Sequence, residues 1–416
     1  MHSINDNFRN IAPSSTLTIN EISKRLEVEG RVIYKFGLGQ SPFPVPEQMV
    51  KDLRRYSAKK DYLDVSGLLE LRQAVAKYHS KKNRVNYNSE NVLIGPGSKE
   101  LLYLSQMIIR GITILPAPSW VSYAPQAKFL SKRVEWIKCN MKNNWHIDPE
   151  ELAKFCSENK SEQKILILNS PNNPTGTTHN RLEDLASIAK DYNLIVISDE
   201  IYAELDFSGT YKSLSHYYPQ GTIISGGISK WCGAGGWRLG TMVFPEELSD
   251  LRTAIRSVSS ETFTSVSAPI QYAAINAYNT SHDRYLWASR DSLAIISEFV
   301  FEELSSIGIE CIKPEGGFYI LCDFSKVINK SSSIRTSKDL CEKMLAELNF
   351  ANLPGSDFGL PDDDLITRMA FVDFDGSAVL KRFSNEKKFG KEEIPTFFPK
   401  IYEGVKKLVK WVKEQA

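Results

Sequence analysis

The chain has 416 residues, 42% of them hydrophobic and 24% charged, which suits two domains or one large one with a sizeable core. Its 51 Lys and Arg stand against 50 Asp and Glu, so no whole-molecule field gathers nucleic acid or an anionic membrane. Six cysteines without CxxC spacing, six scattered histidines without HExxH, a start (Met1 to Asp6) unlike a secretory signal and no apolar run of membrane length exclude disulfide-scaffold, zinc-finger, secreted and transmembrane classes. They predict reduced thiols in a cytoplasmic protein without a metal site.

In chain order, residues 1–30 read as a polar arm and a short helix, anchored by Phe8, Ile11, Leu17, Ile19, Ile22 and Leu26. The Gly and Pro content of Lys35 to Pro46 marks an irregular loop. Gly67 to Tyr78 has helical period. Short apolar runs follow at 92–94, 112–115, 165–168, 194–197 and 222–224, with an amphipathic helix at 182–190. Such runs predict strands buried on both faces of a mostly parallel sheet, with the strand-to-strand spacing of about 30 residues that a βαβ unit takes. From about residue 290 the pattern changes. A helix is expected at Asp291 to Ile307, then Cys311-Ile312, a strand at Gly316 to Leu321 and a loop at Ser331 to Ser333. The charged stretch Lys381 to Glu393 reads as a surface excursion. A last helix carries Ile401, Val405, Leu408, Val409 and Val412 on one face, suited to packing on the small domain. No internal repeat is present. The division expected is an arm and part of the small domain at 1–45, a large domain at 46–288 and a small domain at 289–416.

Ligands of an open parallel sheet bind beyond the carboxyl ends of its strands, so the residues after each apolar run carry the functional signal. Gly95-Pro96-Gly97-Ser98-Lys99 opens a helix, and free N–H groups there suit a phosphate. Arg238 suits the same phosphate, with a charge-assisted bond of about 1.5–3 kcal/mol. Asp199 reads either as a helix N-cap or as the counter-ion of a protonated ring nitrogen. Trp120 reads as core or as a platform for a flat ring. A free lysine has a pKa of about 10.4 and is no nucleophile at neutral pH. Between glycines and beside a cation such as Arg238, Lys230 loses its proton and forms a Schiff base; otherwise it is a solvated loop lysine. Each residue alone has an ordinary structural use. Together, an amine, a ring-nitrogen acid, a stacking ring and a phosphate cradle match pyridoxal phosphate (PLP).

From about Phe36 to Phe371 the chain resembles the class I/II aminotransferases of PLP fold type I, aspartate aminotransferases among them. The resemblance rests on Pro116-x-Pro118-x-Trp120-x-x-Tyr123, Asn173-Pro174-Thr175-Gly176, Asp199-x-x-Tyr202, Ser229-Lys230 with Arg238 eight residues on, and Arg368-Met369-Ala370-Phe371. It implies an α/β fold: a large domain with a mostly parallel seven-stranded sheet flanked by helices, plus a smaller α+β domain. It also implies a homodimer with active sites at the subunit interface, and transfer of an amino group from an L-amino acid to a 2-oxo acid. The acceptor implied is 2-oxoglutarate, with aspartate as one donor. A C–S β-lyase or another fold type I reaction is the alternative. A PLP-sensing regulator needs a helix-turn-helix domain, for which the roughly 35 residues before the Gly39 loop are too few.

Carried over residue by residue, the resemblance makes Lys230 the Schiff-base lysine and the proton shuttle between substrate Cα and cofactor C4′. It makes Asp199 the pyridinium partner, and Tyr202 and Asn173 the partners of the ring 3-oxygen. Trp120 becomes the stacking ring, and Ser98, Lys99 and Arg238 the phosphate holders. Tyr62 matches a tyrosine that reaches the neighbouring subunit's phosphate. Arg368 would grip the substrate α-carboxylate, with Gly39 and Asn173 beside it. Two departures stand out. Many relatives carry a phosphate-binding Ser where this chain has Gly227, leaving Ser225 or water to substitute. Residues 257–283 lack the arginine that animal-type aspartate enzymes offer a second carboxylate; Lys99 is placed to take that role, as in another aspartate subgroup. Cys232, two residues from Lys230, reads as small-residue packing, with sensitivity to oxidation as the other option.

Overall fold

The structure is a computed structural model that describes Phe8 and residues 13–329, 333–383 and 388–415. Ile11, Ser331 and Ser332 lie outside the described residues. The strands are β1 (Tyr34–Lys35), β2 (Val92–Gly95), β3 (Ile112–Ala117), β4 (Val134–Lys138), β5 (Lys164–Asn169), β6 (Ile195–Asp199), β7 (Thr222–Gly227), β8 (Gly240–Val243), β9 (Glu310–Cys311), β10 (Tyr319–Asp323), β11 (Phe350–Ala351), β12 (Leu353–Pro354) and β13 (Ile366–Ala370).

All five apolar runs are strands of one seven-stranded sheet, ordered β2-β8-β7-β6-β5-β3-β4. The β4/β3, β3/β5, β5/β6 and β6/β7 pairs are parallel, and β8 runs antiparallel to both of its neighbours. Every residue of β3, β5 and β7 is buried. Helices cover both faces, which explains the continuous apolar runs. Two strands gave no such run. β4 is an edge strand, Val-Glu-Trp-Ile-Lys, mostly half-buried; β8 is four residues long and opens with glycine. From β3 the chain first adds β4 on one side and then β5, β6 and β7 on the other. This reversal opens a crevice at the strands' carboxyl ends.

A second, antiparallel sheet is ordered β12-β13-β10-β9. β1 pairs in parallel with β11, tying the chain just after the N-terminal helix Ser15–Val28 to the C-terminal part. The helix expected from Asp291 begins at Asp283 and ends at Ser305. Its first turns bury Ala288 and Ser289 and send Arg290 to Glu204, so hydrophobic period is faint there. The strand expected from Gly316 starts at Tyr319. The N–H groups of Glu315 and Gly316 are directed to the Gly176 carbonyl, at 2.8 and 3.0 Å, rather than to a ladder.

The stretch Lys381 to Glu393 is not a simple surface excursion. Phe383 and Phe389 are buried, Arg382 pairs with Glu393, and Phe389 N–H donates to Asp291 Oδ2 at 3.0 Å. Residues 384–387 within it lie outside the described residues. The last helix, Pro399–Gln415, buries all five predicted apolar residues and packs on the helices Asp283–Ser305 and Ser337–Leu348 and on β1. Each such side chain contributes about 1.5–3 kcal/mol of transfer free energy. Among the described residues, no helix is long and apolar enough to cross a membrane.

Candidate active site

The carboxyl ends of β3, β5, β6 and β7 open onto one cavity of about 540 Å³. It is lined by Gly39, Ser98, Lys99, Trp120, Asn173, Asp199, Tyr202, Lys230, Arg238 and Arg368, every predicted site residue except Tyr62. Tyr62 is 88% exposed and does not line this chain's cavity. Sheet register places Asp199, Asn169 and Ser225 side by side at the strand ends. Ser14, Thr16 and Leu17, at the start of the first helix, also line it.

Asp199 ends β6 and is 3% exposed. Burial pushes its carboxyl up to about 6, opposed by the Tyr123 hydroxyl and the Ile201 N–H. Tyr123 Oη donates to Asp199 Oδ2 at 2.6 Å, and Ile201 N–H lies 3.4 Å from Oδ1. Asp199 caps no helix, because the short turn after it begins at Ala203. Tyr123 lines the cavity and belongs to a motif plain in the sequence, which does not show its bond to Asp199. Its signal is its spacing, three residues after Trp120 at one strand end. Removing the Tyr123 hydroxyl takes a bond from the ionised carboxylate and raises the Asp199 pKa. Tyr123→Phe is expected to move the acid limb of PLP binding to higher pH by about one unit. Titrating cofactor affinity between pH 5 and 8 checks this; an unmoved limb would separate Tyr123 from the ionisation.

Lys230 follows β7. Its Nζ donates to the Gly39 carbonyl at 2.7 Å and lies 5.8 Å from the ring centres of Tyr202 and Phe318. Its pKa falls to about 8, by burial first, then by the charges of Arg368 and Arg238, while Asp199 opposes the shift. Arg368, not Arg238, is thus the stronger cationic influence. Between pH of about 8 and the ordinary 10.5 the native chain binds fewer protons at this amine than the unfolded chain. Stability there rises with pH, and the destabilisation is complete below about 8. In the apoprotein, Lys230→Met is therefore expected to be more stable than wild type at pH 7, on the order of 2 kcal/mol. The gap should close toward pH 10.5 in chemical denaturation. A pH-independent gap contradicts the assignment.

Helix Ser98–Ile108 begins at the cavity with no side-chain cap on its first N–H groups. Partial burial and then the Arg238 charge lower the Lys99 pKa, and Lys99 Nζ stands 5.0 Å from the Trp120 ring centre. Arg238, at φ +54°, donates to the carbonyls of Gly235 and Pro96 at 2.9 and 3.3 Å. Gly227 has φ +152°, and a Cβ there would stand 2.7 Å from the Leu239 carbonyl oxygen and 3.0 Å from Gly240 Cα. This backbone has no room for the serine of many relatives. Ser225 is fully buried and does not line the cavity; Ser98 and Ser229 do.

Arg368, in β13, is 1% exposed. Its guanidinium donates to the Gly37 carbonyl, lies 3.4 Å from Asn173 Oδ1 and stacks 4.6 Å from the Tyr319 ring centre. Its Nε has no hydrogen-bond partner, and the Asp357 carboxyl acts on the guanidinium through space. Burial lowers its pKa. Tyr319, missed at the sequence level, sits under this guanidinium with its hydroxyl 2.8 Å from that of Tyr202. A Cβ on Gly39 would stand 1.8 Å from Tyr319 Oη, so only glycine fits beside it.

The turn carrying Asp199 and Tyr202 is anchored from outside the cavity. Glu204 accepts from the Tyr78 hydroxyl, the Lys82 amine and Arg290, whose Nη2 is 2.9 Å away. Arg290 Nε also donates to the Glu204 carbonyl at 2.7 Å. Asn169 Nδ2 donates to the Asp199 carbonyl at 2.8 Å, and its Oδ1 accepts from Asn173 N–H at 2.8 Å.

Four cationic side chains and one carboxylate line the cavity, a helix N-terminus opens onto it, and the Nε of the buried Arg368 guanidinium has no partner. That donor set fits a doubly charged phosphate and a carboxylate with an aromatic ring between them, the requirement of pyridoxal phosphate bound beside an amino acid. These features define a PLP enzyme working at the edge of a seven-stranded sheet. Residues 31–372 match the model of aminotransferase class I and II, and the chain belongs to that family of PLP-dependent aminotransferases. It is 31% identical to the aspartate aminotransferase of Bacillus sp. (strain YM-2), over 85% of this chain and 91% of that one. It is 29% identical to an asparagine–oxo-acid transaminase of Streptococcus mutans, over 84% of this chain and 90% of the relative. The solved structure of the Thermus thermophilus aspartate aminotransferase with maleate superposes with a TM-score of 0.81 at 26% identity, covering 92% of this chain and all of that one.

Proposed function

We propose that the enzyme transfers the amino group of aspartate to 2-oxoglutarate, with Lys230 as the amine that holds the cofactor covalently. The observation that carries this reading is the buried guanidinium of Arg368, whose Nε has no partner, in the same cavity as an amine depressed to about 8. Bound here, PLP supplies the carbonyl that takes up the amino group and the ring that withdraws electrons from the substrate Cα. Arg368 grips the α-carboxylate and so orients the Cα–H bond toward Lys230 Nζ. Lys230, neutral in a useful fraction near pH 8, would remove that proton and return it two atoms along, across the shared nitrogen. Asp199 keeps the ring nitrogen protonated, and Tyr202 and Asn173 meet the ring oxygen. Trp120 stacks on the ring, while Ser98, Lys99 and Arg238 hold the phosphate.

Aspartate as donor is supported by Lys99, whose amine lines the same cavity as Arg368, and by the maleate, a dicarboxylate, in the Thermus relative. A panel of amino donors against 2-oxoglutarate tests the reading, with aspartate expected to rank first. At saturating PLP, Lys99→Ser is expected to raise KM for aspartate about 10-fold and that for alanine less, because only the dicarboxylate loses a charge contact beyond the phosphate contact that both reactions share. Ammonia released from cystathionine without an oxo acid would replace the reading with a C–S β-lyase.

The active form is proposed as a homodimer. The exposed Tyr62 is free to reach the partner's phosphate. Sedimentation of the holoenzyme, and loss of cofactor retention in Tyr62→Phe, test this. The domain division proposed is 1–45, 46–288 and 289–416, which the β1–β11 pairing supports. A cytoplasmic location is consistent with six free cysteines.

A further inference from the structure

The outer edge of the second sheet sets two thiols opposite each other. Cys311 in β9 and Cys322 in β10 are register partners of an antiparallel pair. Both side chains therefore leave the same face, with Cβ atoms about 4.5–5.5 Å apart. A disulfide needs Cβ atoms at about 3.5–4.5 Å, a small adjustment at a sheet edge. The two thiols differ in access. Cys322 is fully buried, its Sγ 3.9 Å from Met369 Sδ. Cys311 is half-buried, its Sγ 3.6 Å from the Ser305 hydroxyl at the end of a helix. The Cys322 thiol and that hydroxyl hold the Cys311 pKa below its ordinary value. Burial raises the pKa of the other five cysteines, Cys322 included, so Cys311 is the thiol that ionises first, and Cys232, with no cysteine as register partner, is packing.

The segment between the pair joins the two sheets. Glu315 and Gly316 donate to the Gly176 carbonyl beside Asn173, Gly317 donates to the Leu205 carbonyl at 3.0 Å, and the segment runs into Tyr319 under Arg368. We propose that Cys311 and Cys322 are a reversible oxidation site, closing to a disulfide in response to a hydroperoxide and tethering both ends of this docking segment. The Cys311 thiolate attacks the peroxide. An S–O bond forms as the O–O bond breaks, leaving a sulfenic acid and releasing one water (or alcohol). Cys322 then attacks the sulfenic sulfur; the S–S bond forms, the S–O bond breaks and a second water leaves. The two thiols give up two electrons and two protons, and the peroxide takes both. A dithiol reverses the change by exchange.

The test is a stepwise hydrogen peroxide titration of the holoenzyme, followed by quenching, alkylation under denaturing conditions and peptide mapping. The number of alkylatable thiols is expected to fall from six by two, with one linked peptide joining positions 311 and 322, restored by dithiothreitol. In Cys322→Ser, Cys311 should pass on to the sulfinic acid and not be restored. In wild type, three results overturn the proposal: a link to any other cysteine, Cys311 oxidised while Cys322 stays alkylatable, or both thiols untouched at peroxide levels that oxidise exposed methionines. None of these depends on a variant that folds.

Discussion

Lys230→Ala is expected to lower turnover by about 10⁴-fold or more while leaving PLP bound without a covalent link. The estimate joins the contribution of a positioned proton carrier, about 10²–10⁴, to the loss of nucleophilic anchoring. The rest of the cradle stays: the helix N-terminus at Ser98, Arg238 and the Asp199 carboxylate do not rely on the amine. Single-turnover kinetics with the donor amino acid checks this, alongside the absorbance of bound cofactor. Added methylamine should return part of the lost rate, because it can carry the proton but cannot be held in place. Turnover within about 10-fold of wild type would remove Lys230 from the reaction.

Arg368→Ala carries the second large effect. A buried guanidinium whose fork awaits a carboxylate makes the substrate its missing partner, and truncating one member of a buried charge pair costs about 2–5 kcal/mol. kcat/KM for amino acids is therefore expected to fall by about 10²–10³-fold, mostly through KM, with cofactor affinity nearly unchanged. Arg368→Lys should recover little, since an ammonium cannot match both carboxylate oxygens. Measuring kcat/KM with aspartate and with its decarboxylated analogue separates the contact from general damage. The analogue should be equally poor with both enzymes. An Arg368→Ala enzyme that still prefers the α-carboxylate would refute the role.

Much of this site was legible in the sequence because the crevice of a parallel sheet collects the residues just beyond each strand. Lys230, Asp199, Trp120 and Asn173 each sit at or a few residues past the end of an apolar run, so a local reading finds them. Arg368 comes from the other sheet, and only the resemblance pointed to it. Tyr319 was harder, because Gly316-Gly317 suggested an early strand start, whereas these residues dock one sheet on the other. The edge strand β4 and the short β8 escaped for a simpler reason. Half-burial and glycine erase the continuous apolar run that marks a strand with neighbours on both faces. The first turns of the helix from Asp283 were hidden by a buried face of alanine and serine. The fully covered elements were therefore readable, and those at margins and seams were not.

The ties at Glu204 have a thermodynamic corollary. Three donors hold that carboxylate, and Arg290 also grips its main chain, all behind the turn that presents Asp199 and Tyr202. The position of Asp199 and Tyr202 is thus fixed by contacts within the chain. Cofactor loading should resemble docking onto a finished surface rather than coupled folding. Calorimetry of reconstitution is then expected to give a heat-capacity change no larger than burial of the small molecule itself accounts for. An enzyme built this way can part with its aminated cofactor and take up a fresh aldehyde without losing its shape.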